Sequence, residues 1–226
     1  MDAGGWWLRV APEGSWWVGA VLPHGGAGMG EVVRRVAGAE EFYAAHEAVA
    51  RFQITPEVCP DGLDALLDER GYRRHSPVAL QGASTARVRE LERTLKVSLD
   101  ERPTRAWFDT WQAVNGESRA EWEMLARVDL PSVYVSALVG GDVVAVGRAV
   151  AEDGWAGVFS MATLPEARGK GAARNVLSAL AGWADANNAD RMYLQVERGN
   201  GAASRLYARA GFTEMCVYHY RSAGRR

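Results

Sequence analysis

The sequence predicts an α/β (α+β) fold in which a mixed central sheet is flanked by helices. In residues 155–176, a strand-like apolar run ends at Pro165. A short basic loop and an amphipathic segment, with apolar residues three and four apart, follow it. A second strand candidate, 191–196, precedes a short helix at 202–210, and residues 132–150 are typical of a hairpin. Strands that alternate with helices indicate one sheet layered with helices.

The loop after the first of these strands has the composition of an anion-binding site. It and the residues after it are Arg168, Gly169, Lys170, Gly171, Ala172, Ala173 and Arg174. The two glycines lack side chains that would hold an anion away from the backbone, and the basic residues supply positive charge. A helix N-terminus placed after such a loop favours a phosphate group. We therefore predict a pyrophosphate site here.

Single residues exclude two of the phosphate-binding motifs that share this layout. A nucleoside-triphosphate loop needs Ser or Thr after its lysine, but Lys170 is followed by Gly171. A dinucleotide fingerprint needs a third glycine where Arg174 stands. What fits is Arg168-x-x-Gly171-x-Ala173, which resembles the (Gln/Arg)-x-x-Gly-x-(Gly/Ala) signature of the GNAT acyltransferases.

A second motif, farther along the chain, supports the same resemblance. Asn200 suits a helix N-cap and Gly211 suits the position after a helix end, with Leu206-Tyr207 between them and Phe212 after them. This order is similar to the last helix of the GNAT superfamily. The resemblance extends over roughly residues 86–221 and implies the GNAT acyltransferase fold.

The resemblance also implies a reaction and a co-substrate. Acetyl-CoA, with no metal, would give its acetyl group to a primary amine of a small molecule or peptide. In this superfamily one strand separates from its neighbour and its backbone binds the pantetheine arm; here that backbone belongs to Met161, Ala162 and Thr163. The residues from Arg168 to Arg174 would then hold the pyrophosphate. Asn200 would contact the pantetheine, cap its helix, or do both.

Tyr207 is the predicted general acid, and Glu197 is the predicted general base. A phenol, with a reference pKa of about 10, stays protonated at neutral pH and can protonate the departing thiolate. A carboxylate at Glu197, the end of the second strand, could accept the proton of the amine; Glu123 and Asp153 are weaker options. The alternatives are a core tyrosine on an amphipathic helix and an ordinary surface charge at Glu197.

The N-terminal part of the chain repeats the order of elements found after Ser132. Strand-like segments at 6–10 and 16–22 precede a helix, a strand, a second helix and a last strand. We interpret residues 1–82 as a degenerate GNAT-like half-domain, a partial pseudo-repeat of the fold. The catalytic N-acetyltransferase domain is expected at 86–226, and the small, polar run 82–86 is the predicted boundary.

Two residue patterns indicate that the first copy has lost the residues needed for phosphate binding and catalysis. Leu67 stands where the second copy has Tyr207, and the loop 23–30 has glycines but no arginine or lysine. The alternative is that this loop binds a second anion.

The composition and net charge of the chain limit the classes of partner that we expect it to bind. The 226 residues carry a formal net charge of -2 and are 48% hydrophobic, so we expect neither nucleic acid nor a membrane as partner. The two cysteines, Cys59 and Cys216, have no metal-site spacing and suit a reducing, cytoplasmic setting. A monomer or a homodimer is expected, since a fused repeat could replace the packing of a dimer.

Three questions stay open at this stage. A non-catalytic acyl-CoA-binding sensor or assembly module could use the same loop, although it would not need Tyr207. The donor could carry an acyl chain longer than acetyl. Trp107, Trp111 and Trp122, on two helices, could face the substrate or belong to the core.

Overall fold

The computed structural model describes residues 1–2, 4–11, 18–116 and 118–224 and divides the chain into two compact units. Unit 1 comprises Met1–Ala79, Glu197–Gly199 and Cys216–Arg226. Unit 2 comprises Leu80–Val196 and Asn200–Met215.

Seven α-helices and nine strands lie within the described residues. In chain order they are α1 (Met29–Ala45), β1 (Arg51–Ile54), α2 (Leu63–Glu69), β2 (Arg73–Arg74), β3 (Val78–Ser84), α3 (Thr85–Arg89), β4 (Lys96–Asp100), α4 (Arg105–Asn115), α5 (Arg119–Ala126), β5 (Ser132–Val139), β6 (Asp142–Glu152), β7 (Trp155–Thr163), α6 (Ala172–Ala186), β8 (Arg191–Glu197), α7 (Gly201–Arg209) and β9 (Thr213–Ser222). Each of these helices is too short or too polar to span a lipid bilayer.

Unit 1 is built from segments that are far apart in the chain. β1 and β2 both pair antiparallel with the last residues of β9; Phe52, for example, lies opposite Arg221. Side chains from α1, α2 and β1 form its buried core, together with Trp6 and Leu8. The first half of the chain therefore depends on the final strand for its sheet.

Unit 2 contains the sheet order β3–β8–β7–β6–β5–β4. The strands β4 to β7 pair antiparallel, and β7 pairs with β8 in parallel. The predicted mixed sheet with flanking helices is confirmed. Val146 of β6 packs in a cluster with Trp107 of α4, whereas a Cβ added at the next residue, Gly147, would meet Val176 of α6. Because successive strand residues point to opposite faces, α4 and α6 cover opposite faces.

The tryptophans of α4 and α5 belong mainly to the hydrophobic cluster that contains Val146. Trp107 is fully buried, and its Nε1 donates to the Gly147 carbonyl oxygen at 3.2 Å. Trp111 is buried and Trp122 partly buried in the same cluster. The core alternative therefore holds for Trp107 and Trp111.

The two strand-like segments predicted near the N-terminus lie partly within the described residues. The segment 6–10 is not a strand: Trp7 forms isolated bridges to Asp2 and Leu22 and is 56% exposed. Residues 12–17, which include most of the predicted turn and the start of the second segment, lie outside the described residues. The pseudo-repeat remains a prediction.

The run proposed as a domain boundary, 82–86, consists of ordered structure. β3 continues to Ser84, whose Oγ accepts from the Arg87 N–H at 3.3 Å and caps α3. Thr85 is buried and donates its hydroxyl proton to the Ala189 carbonyl oxygen at 2.6 Å. Gly82 lies against the Met215 side chain, whose sulfur would have to shift to admit a Cβ there. Where an independent domain would begin stays a prediction.

Candidate active site

The parallel strands at the centre of unit 2 pair along only part of their length. The ladder runs from Trp155–Arg191 to Val158–Leu194, although β7 continues to Thr163. Beyond Val158, no described residue forms a ladder with β7 on this side, so its backbone N–H and C=O groups face an opening. This separation is the one that the GNAT resemblance implies.

A β-bulge bends β7 at this opening. Phe159 lies opposite Arg148 and Ala162 lies opposite Val146, so two residues of β7 face a single residue of β6. Ser160, within the bulge, has φ +54°, which is uncommon for a residue other than glycine. The strand therefore changes direction just where it leaves its parallel neighbour.

α6 begins directly after the basic loop. Its N-cap, Gly171, has φ +85°, and Gly169 has φ +74°, a backbone region that glycine enters without a steric penalty. No described side chain caps this helix end. Since the first N–H groups of a helix lack intrahelical acceptors and carry partial positive charge, they can bind an anion.

These elements line a cavity of about 920 Å³ that lies within unit 2. The cavity brings together every predicted cofactor-binding residue and the predicted acid: Met161, Ala162, Thr163, Arg168, Gly169, Lys170, Gly171, Ala172, Ala173, Arg174, Asn200 and Tyr207. Arg205 and Arg209 line it as well, and no described lining residue carries a carboxylate. In a chain of net charge -2, this concentration of cations favours an anionic ligand.

The three cations of the loop differ in their surroundings. Lys170 is exposed, and Arg168 is exposed with its Nε donating to the Thr163 carbonyl oxygen at 3.2 Å. Arg174 is half-buried, and its buried Nε has no hydrogen-bond partner among the described residues. A buried donor without an acceptor costs about 1–3 kcal/mol, which a phosphate oxygen could offset.

Tyr207 lies on α7 and is 7% exposed. Its ring meets Phe212 edge-on, with the centroids 5.9 Å apart. Burial raises the pKa of Tyr207 to about 12. The phenol therefore keeps its proton at neutral pH, as the predicted role of general acid requires.

The predicted caps of α7 are confirmed. The Asn200 Oδ1 accepts from the Ala203 N–H at 3.1 Å, and Gly211 follows the helix with φ +94°. The Asn200 side chain thus caps its helix while it lines the cavity.

The carboxylates considered as bases are not among the residues that line the cavity. Glu197 ends β8, is exposed and belongs to unit 1. Glu123 pairs with Arg119, N to O 3.0 Å, on the exposed side of α5, and Asp153 occupies the turn between β6 and β7. The role of Glu197 stays a prediction.

Sequence reasoning missed Asn175, which fixes the start of α6. Asn175 is fully buried, and its Oδ1 accepts from the backbone N–H groups of Thr94 at 2.6 Å and Leu95 at 2.9 Å. Its Nδ2 donates to the Gly171 carbonyl oxygen at 2.9 Å. A polar residue on the apolar face of an amphipathic helix was the available signal.

A sheet whose parallel pair opens beside a cationic loop and a helix N-terminus is typical of proteins that hold coenzyme A for acyl transfer. The family model described as "Acetyltransferase (GNAT) family" matches residues 96–212, slightly more than half of the chain, so the chain belongs to that family. It is accordingly an acetyltransferase.

Individual relatives agree with this membership. The chain is 28% identical over 191 residues to the uncharacterized N-acetyltransferase YobR of Bacillus subtilis (strain 168), covering 81% of this chain and 76% of YobR. It is similar in fold to a GCN5-related N-acetyltransferase from Kribbella flavida (TM-score 0.73, 19% identity), covering 93% of this chain and 83% of the other. A tandem GNAT protein from the clavulanic acid biosynthesis pathway also shares the fold (TM-score 0.62, 14% identity, 86% and 70% covered).

We expect Asn175→Ala to lower the free energy of unfolding by about 2–4 kcal/mol, because the Thr94 and Leu95 N–H groups lose their acceptor and the fully buried side chain is truncated. Urea unfolding followed by circular dichroism measures the change. Asn187→Ala is the matched control, since the Asn187 Nδ2 also donates one turn back, to the Trp183 carbonyl oxygen, but is exposed. Equal, small effects of the two substitutions would contradict a structural role for Asn175.

Proposed function

We propose that the protein transfers the acetyl group of acetyl-CoA to a primary amine of a small molecule or peptide, with Tyr207 as the general acid. The observation that carries the proposal is the single cavity that contains the open edge of β7, the cationic loop at the start of α6, and the buried phenol of Tyr207. Its volume of about 920 Å³ is within the range of cofactor sites.

The cavity residues fit an elongated anionic co-substrate. The loop glycines and the α6 N-terminus offer N–H groups for a diphosphate, and the Arg174 Nε lacks an acceptor among the described residues. The open edge of β7, from Phe159 to Thr163, offers N–H and C=O groups to the pantetheine amides.

Acetyl-CoA supplies an acyl group activated as a thioester. The protein's own contributions are positional and electrostatic. N–H groups on the open edge of β7 stabilise negative charge that develops on the acyl oxygen. The Tyr207 hydroxyl holds a proton for the departing sulfur. No described residue hydrogen-bonds to that hydroxyl, so its proton is not committed to another protein acceptor.

Replacing Tyr207 by Phe should lower kcat about 100-fold, because a general acid typically contributes 10²–10⁴ in rate. The Kd for acetyl-CoA should stay within about twofold, since the ring and its packing remain. The release of CoA thiol with a panel of amines, and calorimetry with acetyl-CoA, measure the two quantities. Because the pKa of Tyr207 is raised, wild-type kcat should show no loss from phenol ionisation up to about pH 10.

Tyr134→Phe is the control for that experiment, since Tyr134 is a buried tyrosine that donates to the Leu125 carbonyl oxygen and does not line the cavity. An unchanged kcat in the Tyr207 variant would make Tyr207 a core residue. Tight binding of acetyl-CoA by the wild-type protein, without turnover of any amine, would favour the sensor function.

Arg174→Gln should weaken the use of acetyl-CoA about tenfold, because one charged hydrogen bond to the diphosphate is lost. S-acetylpantetheine, which lacks the diphosphate, should be used equally well by both proteins. Values of kcat/KM for the two donors measure this, and Arg191→Gln, which removes a cation stacked on Trp155 outside the cavity, is the control. The same loss with both donors would overturn the assignment of Arg174 to the diphosphate.

A further inference from the structure

The middle of β6 carries a buried arginine that the proposed chemistry leaves unused. Arg148 lies opposite Tyr134 of β5 and Phe159 of β7 and is only 9% exposed. Its Nε and one terminal nitrogen are buried and have no hydrogen-bond partner among the described residues. None of the ion pairs between described residues includes it.

The protein's own contacts do not offset the burial of this charge. Removing a guanidinium from water is unfavourable unless hydrogen bonds or an opposite charge replace its hydration. The Arg148 Cζ lies 5.0 Å from the centroid of the Phe159 ring, a cation–π contact that is weaker than an ion pair with two charge-assisted hydrogen bonds. The ring contact leaves the buried hydrogen-bond donors of Arg148 without acceptors in the described part of the chain, and an anionic partner is the group that would supply them.

The side chain projects from the face of the sheet opposite α6. A Cβ at the preceding residue, Gly147, would meet Val176 of α6. Since successive strand residues alternate between faces, Arg148 lies on the face where Tyr134 packs against Trp107 of α4. The cation is therefore separated by the sheet from the helix that follows the cationic loop.

Arg148 also lies beside the opening between β7 and β8. Its ring partner, Phe159, is the first residue of β7 after the ladder ends at Val158. Met161, which lines the cavity, is two residues farther along β7, within the bulge. A molecule held by its anionic end at Arg148 would thus reach the open edge over a distance of a few bonds.

We propose that Arg148 binds the carboxylate of the acceptor, and that the acceptor is a small amine with a carboxylate a few bonds from its nitrogen, such as a free amino acid. This rests on the proposed acetyl transfer. A guanidinium binds a carboxylate through two parallel hydrogen bonds, which fix both the position and the orientation of the bound molecule. The amine then faces the thioester across the opening.

The overall reaction balances with these groups. The amine nitrogen forms a bond to the acetyl carbon, and the carbon–sulfur bond breaks. The nitrogen gives up one proton to a base or solvent, and the sulfur gains one. The carboxylate at Arg148 is unchanged, so the product is an N-acetylated acid.

Matched acceptor pairs test the proposal. Free amino acids and their carboxamides differ only in the group that Arg148 would bind, and CoA release gives kcat and KM for each. For wild type, we expect at least one free amino acid to exceed its amide about tenfold or more in kcat/KM. Arg148→Met should lower kcat/KM for that acid about 100-fold, mainly through KM, and change the value for the amide less than about threefold. Arg148→Lys should recover part of the loss.

Two controls separate this role from a structural one. Phe159→Leu removes the ring contact and keeps the arginine, so the preference for acids should persist. Calorimetry should give unchanged acetyl-CoA binding in Arg148→Met, and Arg148→Lys supplies the comparison if the methionine variant does not fold. Equal losses for acids and amides, or a wild-type preference for amides, would overturn the proposal.

Failure of acetyl transfer itself is distinguishable from failure at Arg148. If no amine of either series releases CoA, calorimetry of free amino acids against the protein saturated with CoA becomes the deciding measurement. Binding that disappears in Arg148→Met supports the carboxylate site, although the proposed function fails. The absence of any such binding refutes the carboxylate site.

Discussion

The incomplete pairing of β7 with β8 is the constraint on which the rest of unit 2 depends. Two parallel strands that stay together satisfy their backbone groups, but here the ladder stops at Val158–Leu194 while β7 continues for five residues. Backbone groups left without partners are costly unless water or a ligand reaches them. The bulge at Ser160, the bonds that hold the start of α6 and the burial of Tyr207 all lie around this gap. The gap therefore organises both the fold and the chemistry.

Local signals in the sequence predicted most of the cavity, because its parts have strong local causes. Gly171 is needed for a left-handed N-cap, Asn200 for the cap of α7, and Gly211 for its end, and each of these requirements is met by residues close in the chain. Arg148 could not be found in this way. In the sequence it is one polar residue in an apolar strand, and only the register with Tyr134 and Phe159 shows that it is buried without a partner.

The predicted domain limits depend on contacts between residues that are far apart in the chain, and the sequence does not reveal such contacts. The small residues of 82–86 suggested a boundary, yet Gly82 lies in β3 and contacts Met215, more than a hundred residues later. In unit 1, Asp64 of α2 accepts from the His219 Nε2 at 2.9 Å and the Arg221 Nε at 2.8 Å, both on β9. A half-domain cut at residue 82 would lose these partners, together with the strand that pairs with β1.

Burial acts on two ionisable groups of unit 2 with opposite consequences. A phenol in an apolar setting holds its proton more tightly, and burial alone raises the pKa of Tyr207 to about 12. Burial of Arg148, in contrast, leaves its Nε and one terminal nitrogen without a hydrogen-bond partner among the described residues. The same low polarity therefore favours the protonated form of the phenol and leaves the guanidinium without an anionic partner in the described part of the chain, which is the role proposed for the acceptor carboxylate. Because Arg148 borders the gap and Tyr207 lines the cavity at the open edge of β7, the balancing anion and the proposed proton donor would act on the same reaction.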